Sequence, residues 1–271
     1  MEVVYRLVVS DIDGTLIDKN LGLINGNTVK LVKEYQKLGG HFSLATGRMD
    51  KTVISIVEEL GIDCPIITYN GSKIVNVCTN EVIYESKLDI IIAKTALQLA
   101  KKYMLDTIVY LDNNAYKCST TKSIKQYEEK ENIQCREVDD LVVLLETAPT
   151  KILFLGEEDN FYNFISEVRF ETNTNVNFVQ SEPTYLELLG ENTSKGNALV
   201  KLANYLNISL TDTIAIGDER NDIPMLKIAG LSVAVCNAKE ELKEVASYVS
   251  NLESSYAVNE ILAKAIKSIG G

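Results

Sequence analysis

The chain has 271 residues, of which 46% are hydrophobic, and its 27 basic and 38 acidic side chains give a formal net charge of -11. This length allows one large domain or two modest ones with a sizeable core. The acidic balance disfavours the phosphate backbone of nucleic acids and anionic membrane surfaces as general partners. A small anionic substrate would therefore need local positive charge or a metal ion.

The ends of the chain and its cysteines indicate an ordinary intracellular globule. No charged leader with a cleavage site precedes the first apolar run, and no apolar stretch approaches membrane-spanning length, which predicts a soluble, cytoplasmic protein. The cysteines have neither CxxC nor metal-ligand spacing, so we interpret them as reduced thiols. The single histidine, His41, is interpreted as a structural residue at a strand start. The sequence carries no signal for the oligomeric state.

Apolar runs that are typical of buried parallel strands alternate with helical patterns at both ends of the chain. The run VVYRLVVSDI is followed by TVKLVKEYQKLGG, an amphipathic helix closed by glycine. The pattern repeats in HFSLATGR, DKTVISIVEELG and CPIITYNG, and later in DTIAIGDE, NDIPMLKIAG, LSVAVCNA and KEELKEVAS. This alternation predicts an α/β fold whose core is a doubly wound, Rossmann-like parallel sheet.

The middle of the chain has a different pattern. The helical segment IIIAKTALQLAKKY is mixed there with short alternating strands such as TIVYLDNNAYKCS and KILFLG. We predict an α+β module inserted at residues 84–186, between the two parts of an α/β core that comprises residues 1–83 and 187–271.

Polar side chains follow several of the predicted core strands. Asp11 and Asp13 come directly after the first strand. Later strand ends are followed by Thr46, Gly47 and Arg48, by Asn70 and Gly71, and by Asp218, Asn221 and Asp222. Because ligands bind outside the carboxyl ends of the strands in such sheets, these side chains are expected to form one site. Lys195, which begins the helical segment KGNALVKLANYL, can bring an ammonium group to the same edge.

Each of these motifs also has a purely structural interpretation. Asp-Gly-Thr is a common turn, Asn70-Gly71 fits a turn that leads into a hairpin, and the acids of GDERNDIPML can cap a helix. A calcium loop is excluded in both acidic segments, because Leu16 and Ile223 stand where its glycine is required. Independent turns do not usually place two carboxylate clusters, a hydroxyl and a lysine at successive strand ends. The combination therefore favours one shared site.

The motifs DIDGT, ATGR, SKGNAL and GDERNDIPML, in this order, resemble the four signatures of the haloacid dehalogenase superfamily. The resemblance is specifically to its Cof-type phosphatases, which carry an inserted type IIB cap. It implies a magnesium-dependent phosphatase whose cap closes over the site. It also implies that Asp11 is the nucleophile, Asp13 the general acid and base, and Asp218 a metal ligand. Thr46 and Lys195 would bind the phosphoryl group.

Two groups of residues complete the site that the resemblance implies. The metal site comprises Asp11, Asp13, Asp218, Asn221 and Asp222, with the last two in a supporting role. The substrate-binding residues are Gly47, Arg48, Asn70 and Gly71. The segment GENTSKG departs from the family, which usually has a proline and a glycine before Ser-Lys-Gly, and SNLESSYAV lacks the usual Gly-Val. Asn192 can replace a glycine in a left-handed backbone conformation, so the role of Lys195 is expected to persist.

The chemistry of the paired aspartates supports this interpretation without the resemblance. A phosphate monoester dianion repels a carboxylate nucleophile, so attack by Asp11 requires a bridging cation. Magnesium prefers hard oxygen ligands and suits Asp11, Asp218 and a backbone carbonyl near Asp13. The Asp13 carboxyl can protonate the leaving oxygen and later deprotonate water. As an exposed carboxylate at a strand end, Asp11 is expected to contribute little to the core.

The sequence therefore predicts a magnesium-dependent phosphomonoester hydrolase that acts on small soluble metabolites through an aspartyl-phosphate intermediate. Sugar phosphates are the favoured substrate class. One alternative is a phosphomutase or phosphotransferase on the same scaffold, which passes the phosphoryl group to a second sugar instead of water. A non-catalytic sensor of phosphate esters is the other alternative.

Overall fold

The computed structural model describes residues 4–17 and 22–270. Within these ranges the chain forms two compact units. The first comprises residues 4–84 and 194–270, and the second comprises residues 85–193. The second unit is thus inserted in sequence between the two parts of the first.

The first unit is built on a parallel sheet with β1 (Leu7–Ser10) at its centre. On one side β1 pairs with β2 (His41–Leu44), and β3 (Ile66–Thr68) follows through a parallel bridge. On the other side the sheet continues through β12 (Thr213–Gly217), β13 (Leu231–Ala234) and β14 (Tyr248–Val249). The chain thus moves outward from β1 in both directions. This arrangement confirms the predicted doubly wound sheet and puts its switch point between β1 and β12.

Helices cover this sheet because each presents an apolar stripe to the buried strands. In the first helix, for example, Thr28, Val32 and Tyr35 are buried at helical spacing, and Asn25 caps the N-terminus. The helices of this unit are α1 (Gly26–Lys37), α2 (Asp50–Leu60), α7 (Lys195–Tyr205), α8 (Ile223–Leu226), α9 (Glu240–Val245) and α10 (Ser254–Gly270). A small antiparallel sheet joins β3 to β4 (Lys73–Asn76) and β5 (Glu81–Glu85).

The second unit is an α+β module with its own apolar core. In chain order its strands are β6 (Asp106–Leu111), β7 (Asn114–Lys117), β8 (Arg136–Glu137), β9 (Lys151–Leu155), β10 (Asn177–Glu182) and β11 (Tyr185–Leu189). They form one sheet in the order β10-β11-β9-β6-β7-β8, which is antiparallel apart from the β7–β8 pair. Its helices are α3 (Ile90–Lys102), α4 (Lys122–Glu131), α5 (Leu141–Leu144) and α6 (Glu158–Thr172).

The second boundary between the units differs from the predicted one. A boundary at residues 186/187 would cut through β11, which pairs with β9 and β10 inside the second unit. Leu186 and Leu188 of this strand are buried in the apolar core of that unit. The chain therefore returns to the first unit between Thr193 and Ser194. The sequence did not show this boundary, because β11 has only five residues, which is too short for a clear alternating pattern.

Two findings bear on the environment of the chain. Over the described ranges, none of the helices is both long enough and apolar enough to cross a membrane. The cysteines of those ranges are free thiols, as the sequence predicted. A cytoplasmic location remains a prediction.

Candidate active site

The switch point of the sheet brings two of the predicted aspartates to the same edge. Asp11 directly follows β1, and Asp218 directly follows the neighbouring strand β12. The Asp11 N–H donates to the Ile216 carbonyl at 2.9 Å, which continues the strand pairing up to the site. Two residues 207 positions apart in sequence, Asp11 and Asp218, thus meet because parallel strands end on the same side.

Lys195 is the centre of the site. Its Nζ donates to Asp11 Oδ1 at 2.5 Å and to Asp222 Oδ1 at 2.6 Å. The side chains of Lys195 and Asp222 are fully buried, and that of Asp11 is 9% exposed. The expectation of an exposed Asp11 was therefore wrong, because its carboxylate packs against the buried Lys195 side chain at the start of α7.

The ionisation of these groups reflects their burial. Burial raises the pKa of Asp11 well above its ordinary range, and Lys195 opposes this shift. Three nearby carboxylates raise the same pKa further, those of Asp222, Asp218 and Asp13. Burial alone would lower the pKa of Lys195, but its two aspartate partners outweigh burial and raise it, so this lysine stays charged. The site thus holds more negative charge than its lysine balances.

Asp222 supports the loop that carries Asp218. Its Oδ2 accepts hydrogen bonds from the backbone N–H groups of Asp218 at 3.0 Å and Glu219 at 3.1 Å. Its Oδ1 is occupied by Lys195. Both oxygens of Asp222 are therefore engaged within the protein, and its carboxylate fixes the position of its neighbours.

Thr15 is a site residue that the sequence analysis missed. Its Oγ1 donates to Asp218 Oδ1 at 2.9 Å, and the residue is fully buried. This bond joins the loop after β1 to the loop after β12 and restricts the rotation of the Asp218 carboxylate. The signal for it in the sequence is the threonine of DIDGT, which fits an ordinary turn equally well.

Asp13 and Arg48 form a forked ion pair. Arg48 Nε donates to Asp13 Oδ2 at 2.9 Å, and its Nη2 donates to Asp13 Oδ1 at 2.5 Å. The Asp13 side chain is 42% exposed, in contrast to Asp11. Thr46 is buried in the same loop, and its Oγ1 accepts the Arg48 N–H at 3.1 Å. The guanidinium that the sequence assigned to substrate binding thus orients the predicted general acid.

The loop that carries Asp13 is held from the C-terminal part of the unit. The tight turn at Gly14 has a φ of 93°, which glycine adopts without steric cost. The Gly14 carbonyl accepts hydrogen bonds from Asn237 Nδ2 at 2.8 Å and Ser254 Oγ at 3.2 Å. The Ser254 N–H in turn donates to Asn237 Oδ1 at 3.1 Å. Sequence reasoning did not identify these two anchoring residues, since neither belongs to the four motifs.

Asn70 and Gly71 form the turn between β3 and β4, as the structural interpretation of this dipeptide predicted. Gly71 has a φ of 100°, and a Cβ there would lie 2.2 Å from the Ser194 carbonyl oxygen. The turn therefore packs directly against the N-terminus of α7, where Lys195 begins the helix. Asn192, just before this helix, has a φ of 55°, which confirms the predicted left-handed conformation.

The carboxylates can accept a metal ion. Asp11, Asp218 and Asp222 each offer an oxygen atom, and these atoms all lie within 4.8 Å of one another. The carboxylate of Asp13 is not part of this group. Asn221 Oδ1 is buried without a hydrogen-bond partner among the described residues, so one more hard oxygen in the loop of Asp218 lacks a donor. Carboxylate and amide oxygens are the ligands that magnesium prefers, and the residues present therefore fit such an ion.

The sequence profile of the haloacid dehalogenase-like hydrolases matches residues 8–262. The chain belongs to this family. The matched range includes all four motifs. The membership confirms the family that the sequence predicted.

Relatives of this haloacid dehalogenase-like hydrolase include phosphatases. YcsE of Bacillus subtilis, a 5-amino-6-(5-phospho-D-ribitylamino)uracil phosphatase, is 28% identical over 266 residues, which cover 98% of this chain and 96% of YcsE. A haloacid dehalogenase-like hydrolase from Bacteroides thetaiotaomicron has a TM-score of 0.85 at 26% identity, with 96% of this chain and 99% of that chain covered. The subclass IIB sugar phosphatase BT4131 has a TM-score of 0.83 at 23% identity, with 98% and 99% covered, and shares the fold. Family and relatives confirm the prediction of a phosphoric monoester hydrolase.

Proposed function

We propose that this chain is a magnesium-dependent phosphatase that hydrolyses small phosphorylated metabolites through an aspartyl-phosphate intermediate. The observation that carries the proposal is the buried Lys195 between Asp11 and Asp222, beside Asp218. Three carboxylates face one ammonium group, so a divalent cation would balance the site. An arrangement of this kind suits a phosphate dianion only when the cation is bound.

The roles of the chain's own residues follow from their positions. Asp11 attacks the phosphorus atom and carries the phosphoryl group after the alcohol has left. Lys195 and Thr46 bind the phosphoryl oxygens and stabilise the charge that develops on them. Asp13, oriented by Arg48, protonates the leaving oxygen and then takes a proton from the water that hydrolyses the intermediate.

The metal site is proposed to use Asp11 and Asp218 as carboxylate ligands, together with a backbone carbonyl near Asp13. Asn221 and Asp222 support it, since Asp222 has both oxygens engaged in the protein and Asn221 Oδ1 lacks a partner among the described residues. When bound, magnesium screens the repulsion between the Asp11 carboxylate and the phosphate and polarises the phosphoryl group.

The substrate is proposed to be a small phosphate ester, and phosphorylated sugars and sugar alcohols are the favoured classes. The substrate named for YcsE carries a phosphoribityl group, which is a phosphorylated sugar alcohol. The residues proposed for catalysis lie in the first unit. We therefore propose that the inserted second unit is the cap and that it discriminates among esters. In the first unit, Gly47 and Gly71 are proposed to let their loops approach the phosphate.

A turnover screen tests this function. The purified protein is incubated with a panel of sugar, sugar-alcohol and aryl phosphates, with and without magnesium, in the presence of a free sugar. Release of inorganic phosphate supports hydrolysis, and a phosphorylated acceptor sugar would instead show a phosphotransferase. Tight binding of esters without any turnover would show a sensor.

We expect hydrolysis to depend on magnesium, because Lys195 alone does not offset the carboxylates around the nucleophile. Exhaustive chelation should reduce phosphate release to background, and added Mg²⁺ should restore it. Undiminished turnover in the chelated protein would contradict the proposal.

Replacement of Asp13 by asparagine should slow turnover of alkyl phosphates by roughly two to four orders of magnitude, the usual range for lost general acid and base catalysis. The amide that replaces the carboxyl group cannot donate a proton to the leaving alkoxide. Aryl phosphates should lose less, since their leaving groups need little protonation. Steady-state kinetics on both ester types decides this point, and an equal loss for the two would remove Asp13 from leaving-group protonation.

A further inference from the structure

Asn70 lies where three loops of the first unit meet. Its backbone N–H donates to the Thr46 carbonyl at 2.9 Å, and its Oδ1 accepts a hydrogen bond from Asn221 Nδ2 at 2.9 Å. The residue is 1% exposed and has a φ of 54°, a left-handed conformation that asparagine tolerates better than most residues. Its side chain thus faces the loop of Asp218 and not the solvent.

Gly47 confines the Asn70 amide from the other side. A Cβ on Gly47 would lie 3.0 Å from Asn70 Nδ2 and 3.3 Å from its Oδ1. The amide group therefore packs against the bare backbone of the loop that carries Thr46 and Arg48. This contact leaves it little freedom to turn away from Asn221.

The hydrogen bond to Asn70 fixes the orientation of the Asn221 side-chain amide. An asparagine side chain has one donor end and one acceptor end. Because the NH₂ group of Asn221 donates to Asn70, its Oδ1 points in the other direction, where it is buried without a hydrogen-bond partner among the described residues. A buried acceptor of this kind is stabilised by a cation, whereas an NH₂ group in its place would repel one.

We propose that Asn70 is a positioning residue for the metal site. Its Oδ1 accepts a hydrogen bond from the Asn221 NH₂ group and thereby keeps the Asn221 carbonyl oxygen available to the cation. Asn221 lies between Asp218 and Asp222 in the sequence. The inference rests on the proposed magnesium dependence. It replaces the direct contact with substrate that the sequence predicted for Asn70.

Magnesium binding to the protein without substrate tests the proposal. Asn70→Gly retains the left-handed backbone and removes the amide, and should weaken Mg²⁺ binding in isothermal titration calorimetry by about tenfold or more, the range for residues that orient a ligand. Asn70→Asp retains an acceptor oxygen in the same backbone conformation, and should bind Mg²⁺ at least as tightly as the wild type. At saturating Mg²⁺, Asn70→Gly should keep its KM for the ester.

A double-mutant cycle tests whether Asn70 acts through Asn221. Asn221→Ala should weaken Mg²⁺ binding, and the double variant Asn70→Gly with Asn221→Ala should bind no more weakly than Asn221→Ala alone. Additive losses would overturn the proposal, as would an Asn70→Gly variant with wild-type Mg²⁺ affinity and a raised KM. If the wild-type protein bound no Mg²⁺, the proposed metal dependence itself would fail.

A measurement on the wild-type protein makes the test independent of how the variants fold. Titration with Mg²⁺ should shift the side-chain amide resonances of Asn221 in nuclear magnetic resonance spectra. Those of Asn76, whose Nδ2 donates to the Asp63 carbonyl outside the site, serve as the control. Asn221 resonances that stay unchanged while Mg²⁺ binds would overturn the proposal.

Discussion

Asp11→Asn should abolish phosphatase activity, with a loss on the order of 10⁴-fold or more, while the protein stays folded. The amide is a poor nucleophile, so the proposed aspartyl-phosphate intermediate could not form. Its Oδ1 can still accept the hydrogen bond from Lys195 that the carboxylate accepts at 2.5 Å. Phosphate release measured with mass-spectrometric exclusion of deamidation checks the result. The exposed Asp63 offers a matched control, because Asp63→Asn should retain wild-type turnover.

The same variant should unfold at a temperature at least as high as that of the wild type when magnesium is absent. Burial raises the pKa of Asp11, so the folded protein holds this proton more tightly than the unfolded chain. The stability from that proton is complete below the ordinary pKa of aspartate and is lost as pH rises through the raised value. Once the pH exceeds the raised pKa, the wild type holds a buried charge that asparagine lacks. Thermal melts from pH 4 to 8 should show the advantage of the variant growing with pH, and an advantage that shrank with pH would contradict this account.

Lys195→Met should cost about 3–5 kcal/mol of the free energy of unfolding at pH 8, because it leaves buried carboxylates without their cation. The raised pKa of Lys195 means that its contribution is complete below the ordinary pKa of lysine and is lost only at higher pH. The wild type therefore has the full benefit at pH 8. The deficit of the variant should narrow as pH falls, since the raised pKa of Asp11 favours protonation of that buried carboxyl. Turnover should also be lost, because the ammonium group is proposed to bind the phosphoryl group.

Lys201→Met provides the matched control for this variant. Lys201 lies on the same helix, α7, is exposed, and has its Nζ 4.4 Å from the Tyr84 ring centroid. An exposed cation–π contact is worth about 1 kcal/mol or less. Chemical denaturation with and without Mg²⁺ decides the prediction. Wild-type stability of Lys195→Met at pH 8 would show that the carboxylates do not depend on this lysine.

The sequence was sufficient to predict which strand ends lie together, because the rule for parallel sheets depends on strand order and not on packing details. Asp11 and Asp218 each follow an apolar run, and runs of that kind end at a common edge. The turn at Asn70-Gly71 could be predicted from these two residues alone, since asparagine and glycine accept the positive φ values found there. Local backbone chemistry and strand polarity are both readable from neighbouring residues.

Side-chain partners were not readable in this way. Thr15 bonds to Asp218 across 203 residues of sequence, and Asn70 bonds to Asn221 across 151. The ion pair between Arg48 and Asp13 was not predicted, and the assignment of Arg48 to substrate binding stays a prediction. Such choices depend on rotamers and on the approach of separate loops, which are fixed only when the core packs.

The sequence by itself thus determined the family, the doubly wound sheet and the strand ends that carry the motifs, because periodicity and turn chemistry act over a few residues. Tertiary structure alone decided that Asp11 is buried, that Asp222 engages both oxygens with its neighbours and that the chain leaves the inserted unit after β11. Burial and long-range pairing arise from loops and strands distant in sequence, so no local pattern encodes them.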